Sequence, residues 1–369
     1  YRDKNCSYLF YNGEEVYQDP CCKRVENLGG YGVRKSSVSR CQVISEAYDW
    51  GDDANVRIPY EKMILYALHV RGFTKHRSSG VKHKGTFAGV AEKIPYMQEL
   101  GINMALLMPA YEFDEVMPNT AQTIEQAVLS YKQELPGPDE EDDKKPRINY
   151  WGYQPGLYYV PKNAYACGKD AVGEFKDMVR AFHRAGIGVS MQFFFPPEMR
   201  TADILDILKY WVLEYHIDGF HLMSGSLSMN IIADEPLLAD TMLLTGKWNA
   251  CRGAEERHNV GWLNDGFLYD MRRFIKGDDN MINQFLYHIR ENKAENGVIN
   301  SIARWDGFRL ADLVSYERKH NEENGENNAD GTDYNCSWNC GVEGKSRKKS
   351  VQELRLRQMK NAITILFMS

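Results

Sequence analysis

The chain has 369 residues, 43% of them hydrophobic and 26% charged, enough for one large domain with a smaller companion and ordinary for a globular protein. Its net charge of −6 is spread over both signs with no basic tract, which argues against nucleic acid as a partner. No run of about 18 apolar residues occurs, so a membrane-spanning helix is not expected.

No secretory leader is legible at the start of the chain. The eight cysteines lack metal spacing: Cys21 and Cys22 are adjacent, and Cys336 and Cys340 sit in an Asn-rich loop without a neighbouring His pair. They read as mostly free thiols of a reducing compartment, and a cytoplasmic location is the expectation. Residues 1–56 are rich in Gly, Tyr, Asp and Cys and alternate only in short runs such as Ser7 to Phe10. At Ile58 the pattern changes. Ile58 to Thr74 holds an apolar run followed by His-Val-Arg-Gly, and Gly85 to Ile102 has helical spacing with Gly101 as its C-cap. Asn103 to Phe113 reads as a second strand, and this strand–helix–strand order argues for parallel βα units.

Glu134 to Arg147, acidic and then basic with three prolines, reads as a surface loop. The aromatic stretch Ile148 to Ala166 follows. Ala171 to Ala185 is helical by spacing, Gly186 to Met199 contains strand three, Ile204 to Tyr215 is a helix, and Ile217 to Met223 is strand four. Met229 to Leu238 is a short helix and Ala239 to Trp248 strand five. Gly261 to Asn280 resembles the strand-six loop and following helix of a barrel family, Ile299 to Ala303 is strand seven, and Glu353 to Phe367 is a last helix. The total is seven strands, whereas a closed (β/α)8 barrel has eight. The chain is therefore expected to be a segment of a longer one; natural truncation is the rival explanation.

The run Asp306-Gly307-Phe308, with Asp312 to Tyr316, Lys319 to Glu322, Asn324 to Asn328 and Ser337 to Gly344, resembles the debranching branch of the α-amylase superfamily, that is, isoamylases and glycogen debranching enzymes. The resemblance implies a TIM-type barrel over residues 57–369, preceded over 1–56 by the end of a β-sandwich glycan-binding module and its linker. It also implies that Tyr153, last of Asn149-Tyr150-Trp151-Gly152-Tyr153, stacks on the sugar at the cleavage subsite. Calcium binding occurs in parts of the superfamily, but no complete oxygen cage is legible here, and no cofactor motif appears.

Retaining glycosidases place two carboxyl groups about 5–5.5 Å apart across the scissile bond. In this superfamily both stand at strand ends, with a third carboxylate that orients the substrate and stabilises the transition state. The nucleophile ends a strand-four motif, typically Asp-Gly-Phe-Arg-Phe-Asp; here Asp218 to Met223 puts Met223 in that place and His221 in place of the arginine. The general acid ends strand five, where Gly246 now stands, followed by Lys247 and Trp248. A thioether cannot form the glycosyl ester, and glycine has no proton to donate. The third carboxylate survives as Asp306, with Trp305 in place of its usual His neighbour, and the strand-three motif reads Gln192 to Pro197 with its polar groups altered.

The expectation is thus a debranching-enzyme-like α-glucan protein without the family's hydrolysis, meeting glycogen or starch on an outer aromatic rim around Tyr153 and Trp248, with His221 and Trp305 as further substrate-binding positions. The alternatives are an active α-1,6-glucosidase with relocated carboxylates, for which Glu198, Glu112 and Asp114 are the nearest candidates, and a non-catalytic partner of an active debranching paralogue. Asp218 and Asp240 are expected to make structural bonds.

Overall fold

The computed structural model describes residues 6–13, 15–26, 30–33, 39–44, 47–116, 148–224, 227–246, 257–290, 297–324 and 327–369. The surface loop read at Glu134 to Arg147, and Lys247 and Trp248 at the end of strand five, lie outside the described residues.

Four short strands open the chain, β1 Ser7–Tyr8, β2 Phe10–Asn12, β3 Glu15–Tyr17 and β4 Cys41–Gln42, followed by β5 Leu65–Leu68. Helices α1 Val70–Lys75, α2 Phe87–Ala91 and α3 Ile94–Glu99 lead to β6 Met104–Leu107, β7 Tyr111–Glu112 and β8 Leu157–Pro161. Next come α4 Ala171–Arg184, β9 Gly188–Phe194, α5 Thr201–Tyr215, β10 Gly219–Met223, α6 Met229–Ala233 and β11 Met242–Thr245. The chain continues through β12 Val260–Leu263, α7 Asp265–Lys276, α8 Ile282–Arg290, β13 Gly297–Ile299, α9 Leu310–Leu313 and α10 Lys349–Met368. Strands β5, β6 and β9 to β13 form a seven-stranded sheet in the order β13-β12-β11-β10-β9-β6-β5. That is chain order, the topology of a TIM-type barrel over seven of its eight strands.

The chain divides into two compact units. The first comprises Tyr1–Val56 and Leu68–Asp218. In it β6 and β9 pair in parallel from Met104↔Gly188 to Leu107↔Met191. Every residue of β6 is buried, as expected of a parallel strand covered on both faces. Helix α4 buries Val172, Phe175, Met178, Val179 and Phe182 along one stripe, each contributing roughly 1.5–3 kcal/mol of apolar burial. Asp170 caps its first turn by accepting from Gly173 N–H at 3.1 Å. The helix expected over Gly85 to Ile102 is instead two, α2 and α3. Pro95 explains the break: it lacks an N–H and fits only the first turn of a helix, so a new helix starts beside it. Gly101 adopts φ +74°, the left-handed position read from the sequence.

The second unit comprises Arg57–Ala67 and Gly219–Ser369. Strands β10, β11, β12 and β13 pair in parallel in that sequence. Helix α7 starts at Asn264, whose side chain accepts from Phe267 N–H at 3.1 Å, and ends at Gly277 with φ +93°. Phe267 and Met271 pack with Ile302, Leu313 and Ala362. Strand seven differs from its expected span of Ile299 to Ala303, because β13 ends at Ile299. Asn264 N–H takes the Ile299 carbonyl at 3.0 Å and the Asn264 side-chain amide donates to Asn300 Oδ1 at 2.9 Å. The polar residue closes the ladder, and Ile302 turns away into the helical core.

Candidate functional site

The register of the second unit sets two strand ends side by side. β10 pairs with β11 from Gly219↔Met242 to Leu222↔Thr245. Met223 and Gly246 each stand one residue past the last pair, at the carboxyl ends of adjacent parallel strands. A Cβ on Gly246 would lie 4.0 Å from His221 Nε2. The His221 ring is edge-on to Trp305, with centroids 5.7 Å apart. Met223, Gly246, His221 and Trp305, chosen from sequence, are therefore neighbours.

His221 is 1% exposed. Burial, aided by the Arg304 charge, pulls its pKa down to about 4, so the ring is neutral at ordinary pH. It neither presents itself to an incoming sugar, as the sequence reading expected, nor supplies the positive charge that an arginine there would give. Trp305 is half-buried and Asp306 lies in an exposed turn beyond β13 rather than on the strand itself. Arg304 lies near two carboxylates: its Nη1 donates to Asp265 Oδ1 at 2.6 Å, and its Nε lies 3.5 Å from Asp306 Oδ1 without a hydrogen bond. Asp265, at the first turn of α7, was missed by the sequence reading, which weighed only strand-end acids.

The relocated acids weighed from sequence fare unequally. Glu112 is 4% exposed and bound to Lys162 Nζ at 2.9 Å, so it is neither a solvated side chain nor a free acid. Glu198 and Asp114 are exposed. Asp218 is structural: it accepts from Val189 N–H and Val56 N–H, both at 2.7 Å, and from His183 Nε2 at 2.9 Å. Asp240 makes an exposed ion pair with Arg57 at 2.8 Å.

The first unit holds the aromatic loop. Tyr153 is half-buried, and its hydroxyl donates to Gln192 Oε1 at 2.8 Å. Tyr150 stacks on His69 at 4.1 Å and 8°, and Trp151 meets Tyr150 edge-on at 5.1 Å. Tyr150 and Trp151 are 37% and 41% exposed, so the loop offers these rings to solvent as well as Tyr153. His69 accepts from Gly72 N–H at Nδ1 (2.9 Å) and donates from Nε2 to the Tyr150 carbonyl (2.8 Å), which fixes a neutral tautomer. Burial lowers its pKa to about 4. A Cβ on Gly72 would strike the Tyr150 hydroxyl at 2.1 Å, so the His-Val-Arg-Gly and Asn-Tyr-Trp-Gly motifs are one packed unit. Their separation in sequence hid that link.

No family model matches the chain. Among curated proteins it is 29% identical to isoamylase 1, chloroplastic, of Oryza sativa subsp. japonica over 98% of this chain and 55% of the relative. It is 30% identical to isoamylase 3, chloroplastic, of the same plant over 97% and 54%. With the glycogen debranching enzyme of Erwinia tasmaniensis it shares 28% identity over 96% and 61%. The chain thus spans just over half the length of these relatives. Among solved structures, apo pullulanase from Paenibacillus barengoltzii superposes with a TM-score of 0.64 at 18% identity, covering 98% of this chain and 61% of that one. Pullulanase from Anoxybacillus sp. gives a TM-score of 0.60 at 19% identity over 84% and 52%. Both share its fold. Sequence and topology agree: the homologues of this chain are isoamylases and glycogen debranching enzymes, and its fold is that of the pullulanases.

Proposed function

We propose that this debranching-enzyme-like chain meets α-glucan of the glycogen or starch type without hydrolysing it. The observation that carries the reading is the pair of adjacent strand ends holding Met223 and Gly246 beside a buried, neutral His221. A retaining mechanism calls for two carboxyl groups there, one to attack and one to give a proton. A thioether, a hydrogen and a neutral imidazole supply neither. Binding falls to the aromatic loop, where Tyr150 and Trp151 present exposed faces and Tyr153 is anchored through its hydroxyl. Aromatic rings suit pyranose faces, and the Erwinia tasmaniensis relative is by name a glycogen debranching enzyme. A non-catalytic role beside an active paralogue follows from the same chemistry.

Affinity electrophoresis in glycogen or amylopectin gels tests the binding. Retardation that Trp151→Ala removes supports it, and unretarded migration of the native chain sinks it. A second reading rests on Asp265 and Asp306, two carboxylates gathered by Arg304. It makes the chain an active α-1,6-glucosidase with a displaced acidic pair. Reducing-end release from branched glucan, abolished by Asp306→Ala, would establish that reading and overturn the first.

A further inference from the structure

Lys162 is fully buried, and its ammonium does not sit in a simple ion pair. Nζ lies 2.9 Å from Glu112 Oε1, 2.8 Å from Glu115 Oε1 and 2.5 Å from the Phe113 carbonyl oxygen. The Phe113 ring centroid is 4.5 Å away. Both carboxylates are buried as well, at 4% and 3% exposure. Three oxygens from the four-residue stretch Glu112 to Glu115 thus converge on one positive charge. Two carboxylates and a carbonyl are what a hard divalent ion such as calcium takes from a protein. Here a tethered ammonium already fills the centre, so the residues present do not fit a bound calcium ion.

The bonds that spread from this stretch show what the charge organises. Asn163 N–H donates to Glu112 Oε2 at 2.7 Å, which locks the end of β8 onto β7. Asn149 N–H donates to the Glu115 carbonyl at 2.7 Å, and the Gln154 side-chain amide to the Asp114 carbonyl at 2.7 Å. The Tyr111 hydroxyl donates to the Gln154 carbonyl at 2.8 Å. The aromatic loop bearing Tyr150, Trp151 and Tyr153 therefore hangs from a stretch folded around Lys162.

We propose that Lys162 is a built-in cation: a positioning residue whose ammonium folds Glu112 to Glu115 around a point charge, fixes the aromatic loop, and blocks a latent divalent-cation site made of the same oxygens. The role holds whether or not the loop meets a sugar. Truncating the side chain leaves two buried carboxylates and a carbonyl around an empty centre, a strongly unfavourable charge arrangement that an added divalent ion relieves.

Thermal unfolding of the native chain, Lys162→Ala and Lys162→Met, each in EDTA and in millimolar calcium, tests this. The native chain should melt at the same temperature in both. Lys162→Ala should melt lower in EDTA and recover by about 5 °C once calcium is in roughly hundredfold excess over its dissociation constant. Lys162→Met, which fills the space with a neutral side chain, should melt low in both. A Lys162→Ala chain that calcium leaves unmoved, or a Lys162→Met chain as stable as the native one, overturns the proposal. If Lys162→Ala folds only with calcium, the proposal stands. If it folds in neither, Glu115→Gln decides: a lowered, calcium-independent melting temperature supports the built-in cation, and an unchanged one refutes it.

Discussion

Acidification should expose the cost of keeping His221 neutral. Its folded pKa is near 4 against an ordinary 6.5 because the ring is buried in β10 and faces the charge of Arg304. The unfolded chain takes up the proton first as pH falls. This group's contribution is therefore intact above pH 6.5, is lost progressively between 6.5 and about 4, and is constant below that. At about 1.36 kcal/mol per pKa unit the full loss is roughly 3 kcal/mol, and by pH 5 roughly 2 kcal/mol has gone. His69, also held near 4, acts in the same direction. His183 acts in the opposite one: burial lowers its pKa, but Asp218 and Asp53 outweigh that and raise it, so its contribution is present at low pH and lost as pH rises through its folded pKa. A difference measurement separates them. Urea unfolding of the native chain and of His221→Leu, at pH 7 and pH 5, should show the native chain losing about 2 kcal/mol more than the variant. Equal losses in the two proteins would refute the buried neutral imidazole.

Gly246→Glu should fold, since its Cβ meets His221 Nε2 only at ordinary contact distance, and a carboxylate there should raise the His221 pKa, seen by NMR titration of the ring. Asp218→Asn should cost roughly 3 kcal/mol in denaturant unfolding, because it breaks a buried set of charge-assisted bonds to His183 and two backbone N–H groups. Gly152→Ala should lower the melting temperature and disturb glucan retardation together. Gly152 has φ +76°, and a Cβ there would fall 2.4 Å from the Phe113 ring. Trp151→Ala should abolish retardation with a change in melting temperature of only about 1–2 °C, since that ring is largely outside the core.

The order of strands and helices was legible because burial writes itself into periodicity. The apolar runs at Met104 to Leu107 and Met242 to Leu244, and the stripe Val172, Phe175, Met178, Val179 and Phe182, carry their burial in their spacing. Met223 and Gly246 were singled out by their flanking motifs, and the β10–β11 register sets those two positions side by side. Where elements end was less legible. Ending β13 at Ile299 depends on Asn264, distant in sequence, reaching Asn300.

What the sequence determined by itself was local: which stretches bury a face, where Gly101 stops a helix, and which residue types stand at the strand ends. Charge partnership belonged to the tertiary structure. Nothing in the local pattern around Glu112 or Lys162 says that they meet in a dry site, or that Arg304 gathers Asp265 and Asp306. Coulomb interactions depend on distance through space and on exclusion of water, and both are fixed only once residues far apart in the chain are packed together.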